Sequence, residues 1–241
     1  ARNSQKFDLN LKISDFFHWD IPMLTALIKL GIPMAIKSAA IHFSKLFVNS
    51  WINSYGVAVS AMAGIVNKLG SICNLISNSV NAAGSSMVGQ NVGAQKFERV
   101  PRIMITCFAF TLCTASLMSA VVYLFPKAVF GIFTDEAAVL AIAMEFLPIA
   151  VVLFLGSACR SPMNALINGS GNHRVNFAAA ILDGLVMRIG LSILFGLILD
   201  MKYLGFWLGD ALAGYTPFFI GLVYYFSGAW KTRKYVIKEE K

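Results

Sequence analysis

Residues 103–125 read IMITCFAFTLCTASLMSAVVYLF, a run without a single charged side chain. At about 1.5 Å rise per residue, a helix of this length is about 35 Å long, enough to cross a hydrocarbon core of roughly 30 Å. The run is too long and too continuously apolar for a strand that alternates between two faces. Five further apolar stretches surround it, at about 24–52, 57–90, 137–158, 175–199 and 204–229, while the quoted span itself ends near residue 126.

Composition agrees with this reading. The chain has 241 residues, 57% hydrophobic and 13% charged, and its mean hydropathy is +0.68. A soluble domain carries roughly 25% charged residues. The expected fold is therefore all-α: a polytopic membrane protein with six transmembrane helices within residues 21–230. Residues 1–20 are polar and then aromatic (Phe16, Phe17, Trp19), as suits a cytoplasmic linker that meets the membrane interface, and 231–241 form a basic tail. The first residue is Ala rather than Met, which points to a fragment or a processed product.

The distribution of basic residues sets an orientation. With residues 1–20 placed in the cytoplasm, the inside segments hold thirteen Lys and Arg: Arg2, Lys6, Lys12, Lys96, Arg99, Arg102, Arg160, Arg174, Lys231, Arg233, Lys234, Lys238 and Lys241. The outside loops hold Lys127 and Lys202. This is a strong positive-inside bias, with both ends of the segment cytoplasmic. The formal net charge of +8 is mostly topology. It is not a signal for nucleic acid, since no stacking or basic-groove motif accompanies it. Cys73, Cys107, Cys113 and Cys159 fall in or near the spans without a CxxC pair or a His cluster, and read as small buried apolar residues rather than metal ligands. No cofactor is implied.

Two spans carry polar stripes. On the first, Ser38, His42, Lys45, Asn49 and Asn53 project within a narrow arc at about 100° per residue. On the second, Asn67, Ser71, Asn74, Asn78, Asn81 and Ser85 do the same. Polar side chains facing lipid are costly, so both stripes should face protein or water. The tight turn Asn53-Ser54-Tyr55-Gly56 makes the two spans antiparallel neighbours, so their stripes line one cavity or bond neighbouring helices, two roles that are compatible.

Ionisable residues inside spans are functional candidates by default: Lys45, Lys68, Glu145, Asp183, Arg188 and Asp210. Lys45 shares a face with His42; it either repels a cation or pairs with an acid such as Asp183. Asp183 and Arg188, five residues apart, stand roughly 140° apart on an α-helix and are not expected to pair. Glu145 falls near the outer interface, and Lys68 has a structural reading beside the functional one. Candidates for a substrate or ion path are thus His42, Lys45, Asn49, Asn67, Asn74, Asn78, Asn81 and Asp183, with Lys68, Glu145, Arg188 and Asp210 as structural or coupling groups. No catalytic constellation is present, and an enzyme is not expected.

Several stretches resemble the multidrug and toxic compound extrusion (MATE) transporters, and more narrowly their DinF-like bacterial members. They are Lys29-Leu30-Gly31-Ile32-Pro33, Phe47-Val48-Asn49-Ser50, Asn53-Ser54-Tyr55-Gly56-Val57, Val88 to Arg99, Asn164 to Asn172, Arg188-Ile189-Gly190-Leu191 and Ser227-Gly228-Ala229-Trp230-Lys231. Each is weak alone; their order across nearly the whole chain is specific. The resemblance implies one C-terminal six-helix lobe of a twelve-helix antiporter, which exchanges Na+ or H+ for organic, often cationic, compounds across the plasma (inner) membrane by alternating access. Its partners would be the lipid bilayer, an N-terminal lobe and a small organic cation. Some relatives carry an acidic ion-binding residue on the first helix of this lobe. Here Ala39-Ala40-Ile41-His42 has none, so the coupling site is expected mainly in the N-terminal lobe. The alternatives are a lipid-linked-oligosaccharide flippase of the same superfamily and a non-transporting truncated membrane module.

Overall fold

The computed structural model describes residues 21–232, apart from several side chains in the first helix. The interfacial segment 1–20 and the tail from 233 lie outside the described residues. Every regular element among them is helical: α1 (Ile21–Asn53), α2 (Val57–Gly93), α3 (Val100–Leu124), α4 (Pro126–Gly131), α5 (Ala137–Gly169), α6 (His173–Ile181), α7 (Arg188–Ile193), α8 (Lys202–Ala213) and α9 (Thr216–Phe226). Two π-helical turns, Leu182–Met187 and Leu194–Ile198, join α6 to α7 and continue α7.

The all-α polytopic reading holds. Among the described residues, five helical rods are long and apolar enough to cross a membrane: Val57–Gly93, Phe97–Leu124, Ala137–Gly169, His173–Ile198 and Lys202–Phe226. The sixth long helix is α1, with 33 residues. Large apolar side chains such as Phe43, Leu75, Phe110, Leu117, Val223 and Phe226 point outward from the bundle. In water that surface would be an aggregation hazard; in lipid it is solvated.

Local chemistry places the breaks. Gly56 sits at φ 112° between α1 and α2, a conformation that a side chain would strain. Ser60 Oγ donates to Asn53 Oδ1 across the same turn at 2.9 Å. Pro101 occupies the first turn of α3, where its missing N–H leaves no bond unmade. Asn172 caps α6 by accepting from the Val175 N–H at 3.3 Å.

α5 is the central rod, packed along α2 and flanked by α3, α8 and α9. Two apolar cores pin it at opposite ends. One gathers Ile52, Met62, Phe130, Phe146, Phe154 and Phe206; the other gathers Val88, Val100, Leu166, Ile167, Tyr224 and Trp230. Between them Pro162 interrupts the α5 ladder, freeing the carbonyl of Ala158. Thr111 Oγ1 of α3 lies 3.0 Å from that oxygen. Ser161 Oγ donates to Ser77 O of α2 at 2.6 Å. The proline position is thus bridged by the Thr111 side chain of α3 and by the Ser161 hydroxyl, which reaches a backbone carbonyl of α2. Cys113 departs from its buried reading: it is exposed on the outer face, while Cys73 and Cys107 are buried.

Small residues let the rods approach closely. A Cβ on Gly209 would lie 2.5 Å from Ser192 N, and one on Gly169 would lie 2.6 Å from Ser85 O. Gly190 has nothing within 4 Å of the same position. Gly209→Ala should therefore destabilise the bundle by about 1–3 kcal/mol through overpacking. Gly190→Ala should be neutral or slightly stabilising, because Ala favours helix. Thermal unfolding of both variants in detergent checks the contrast; equal melting would contradict the close α7–α8 packing.

A polar cavity as the candidate functional site

Midway between the two apolar cores lies a cavity of about 490 Å³. α1 contributes Ser38, His42 and Lys45, and α2 contributes Asn67, Ser71, Asn74, Asn78 and Asn81. Thus the two polar stripes do face one space. Helical spacing in α2 keeps its asparagines on one side, while Ile65, Leu69 and Cys73 turn into the apolar core. Asn49 and Asn53, expected on the α1 stripe, are not among the lining residues, and Asn53 serves the turn.

The far wall was not foreseen. α5 supplies Ser157, Arg160, Asn164 and Asn168. The apolar run breaks near residue 158, which puts Arg160 in an inside loop by sequence, but α5 continues to Gly169. Arg160 is half-buried in the bundle, and its Nη2 donates to Asn74 Oδ1 of α2 at 2.7 Å. A signal was present: Ser157, Arg160, Ser161, Asn164 and Asn168 recur at three- and four-residue intervals, as on α2. Asn168 Nδ2 donates to Asn81 Oδ1 at 3.3 Å, and Asn176 Nδ2 donates to Asn168 Oδ1 at 2.8 Å. The asparagines therefore both line the space and tie α2, α5 and α6 together.

The expectation that Asp183 and Arg188 would not pair is overturned. Arg188 Nη2 bonds Asp183 Oδ1 at 3.2 Å. The reason is the π-turn Leu182–Met187, whose i→i+5 hydrogen bonding brings residues five apart to the same side. Arg188 Nη1 also bonds Asp210 Oδ1 of α8. One guanidinium thus joins two spans through two carboxylates, all three lining the cavity. Asp183 and Lys45 do not form a direct ion pair: among the described residues, the ion pairs within 4 Å are those of Arg188.

Two candidates lie elsewhere. Lys68 is exposed, with Nζ 5.6 Å from the centre of the Phe133 ring, a cation–π contact on the bundle exterior. Glu145 is exposed and accepts from the Tyr203 hydroxyl at 2.7 Å. Neither belongs to the cavity lining. Among the described residues, no group of three or more His, Cys, Asp and Glu is placed to hold a metal.

The fold and the site define a polytopic membrane helix bundle with a polar cavity at mid-depth. Comparison with known proteins gives the family. A model of the MatE family matches residues 33–198. The "Probable multidrug resistance protein YoeA" of Bacillus subtilis is 22% identical over 219 residues, which is 91% of this chain and 47% of that protein. Among solved structures, a MATE transporter in the bent conformation aligns with TM-score 0.76 at 16% identity, covering 95% of this chain and 51% of that one. The bent form of the Vibrio cholerae MATE transporter VcmN aligns at 0.72 with 15% identity, covering 87% and 48%. The chain spans about half the length of the relatives it matches. It belongs to the MatE family, the transporters that its ordered motifs resemble.

The buried triad yields a stability prediction. Arg188→Met leaves two carboxylates unneutralised inside the bundle and should cost about 3–5 kcal/mol. Adding Asp183→Asn and Asp210→Asn should recover most of that loss, because no uncompensated charge then remains. Detergent melting curves of the single and triple variants check this; a single variant as stable as the parent would contradict the clamp.

Proposed function

We propose that this chain forms one six-helix lobe of a cation-coupled exporter of organic compounds, in the plasma (inner) membrane, with both ends of the segment cytoplasmic. The observation that carries the reading is the cavity: polar stripes from α1, α2 and α5 converge on one space at mid-bundle depth. Membership of a family of membrane transporters and half-length coverage of the relatives support an N-terminal lobe as the facing wall. Alternating access then moves one lobe against the other around the site. Na+ or H+ would drive the exchange, with ligands mainly in the facing lobe. Moving Arg160 from the inside loops to the cavity leaves twelve inside basic residues against two outside, so the charge bias still supports this orientation.

A second reading gains one observation. A flippase of lipid-linked oligosaccharides needs cationic groups in its cavity, and Arg160 now joins Lys45 there. For organic cations, acidic groups must come from the facing lobe.

The test is dye efflux from vesicles containing the full-length protein, under an imposed Na+ or H+ gradient, with one cationic and one anionic dye. Gradient-dependent efflux of either is expected, and none for both would contradict the exporter reading. Asn78→Leu should lower efflux severalfold without lowering expression, and Lys45→Leu should change which dye is favoured. Parental behaviour of both variants would mean that the stripes serve packing alone.

A further inference from the structure

We propose that the cavity receives an anionic group, a phosphate, sulfonate or carboxylate on an amphipathic compound, between Lys45 of α1 and Arg160 of α5. The inference rests on the cavity being the transport site and deepens that reading by naming a substrate class.

The argument starts from the charges lining the space: Lys45, Arg160 and Arg188 against Asp183 and Asp210. Arg188 takes both carboxylates. Neither Lys45 nor Arg160 has an ion-pair partner within 4 Å among the described residues. Both line the same cavity, Lys45 from α1 and Arg160 from α5. Both are half-buried. Arg188 with its two carboxylates is net negative by one, so three cations against two carboxylates leave the lining with an excess of one positive charge, which a group of opposite sign would balance.

The neighbours fit that visitor. Arg160 is aimed by its bond to Asn74 Oδ1 and stands 3.5 Å from Ser157 Oγ, so one guanidinium edge is fixed and further N–H donors remain. A planar fork of this kind suits the oxygens of phosphate or carboxylate, while Lys45 adds a mobile point charge. The amides of Asn78 and Asn164 supply neutral donors beside them. Ile41, Val66, Leu153 and Pro217 give an apolar lining for the rest of the molecule. A volume of about 490 Å³ lies in the range of small-molecule sites. An organic cation placed here would instead face a net excess of one positive charge.

The group can belong to a soluble compound or to a lipid headgroup. The experiment uses the full-length protein in lipid nanodiscs, with fluorescein as the anionic probe and rhodamine 6G as the cationic one. Fluorescein should bind, and Lys45→Gln and Arg160→Gln should each weaken it about tenfold, the loss expected for one charge-assisted hydrogen bond. Rhodamine 6G should bind the variants as well as or better than the parent. Lys45→Arg and Arg160→Lys should keep most of the fluorescein affinity, which separates charge from folding. A parallel flipping assay with a fluorescent phosphatidylglycerol in vesicles assigns the source. Protein-dependent flipping lost in the Gln variants points to a headgroup; fluorescein binding without flipping points to soluble compounds. Unchanged fluorescein affinity in both monodisperse Gln variants, or no fluorescein binding by the parent, would overturn the proposal. Binding needs no gradient, so this failure is distinct from a failure of gradient-driven efflux.

Discussion

A guanidinium buried at bilayer depth is costly, and Arg188, 3% exposed, meets that constraint by bonding Asp183 and Asp210 together. Much of the architecture follows from it. The π-turn Leu182–Met187 exists where Asp183 and Arg188 must share a side. Gly209 lets α8 lie close enough to α7 for Asp210 to reach across. Ile41 of α1 lies against Gly184 on the same turn, so the α1 wall of the cavity leans on the segment that carries the ion pair. With this cluster net negative by one, Lys45 and Arg160 tip the cavity to a net excess of one positive charge.

The fold was legible from one physical fact. Lipid cannot satisfy polar backbone, so an apolar run as long as residues 103–125 has to be helical and spanning. The polar stripes were legible for a related reason: their 100° periodicity shows even inside apolar sequence, and it placed Asn67, Asn74, Asn78 and Asn81 on the correct face. Asn49 fails the same test because the α1 stripe is longer than the cavity, and its end approaches the turn where Asn53 bonds Ser60.

What escaped the sequence has physical causes. Arg160 was misplaced because hydropathy drops where Arg160 and Pro162 fall together, although Thr111 and Ser77 hold the helix through that break. The Asp183–Arg188 pair escaped because an α-helical wheel was applied to a π-turn, and no sequence rule announced that turn. Arg188 and Asp210 are 22 residues apart, so their meeting depends on how two rods pack, which periodicity within one rod does not contain.

The central claim is that the Asn stripe of α2 faces an aqueous cavity while the adjacent outward face of the same helix, which carries Leu75, meets lipid. The direct measurement is thiol labelling in membranes, with a membrane-impermeant maleimide and a background in which Cys73, Cys107, Cys113 and Cys159 are replaced by Ser. Asn78→Cys sits in the cavity lining, and Leu75→Cys sits three residues away on the outward face. The account predicts that Asn78→Cys labels rapidly, is slowed by a bound transport substrate, and that Leu75→Cys stays unlabelled. Equal labelling at both positions, or labelling of Leu75→Cys alone, would contradict it.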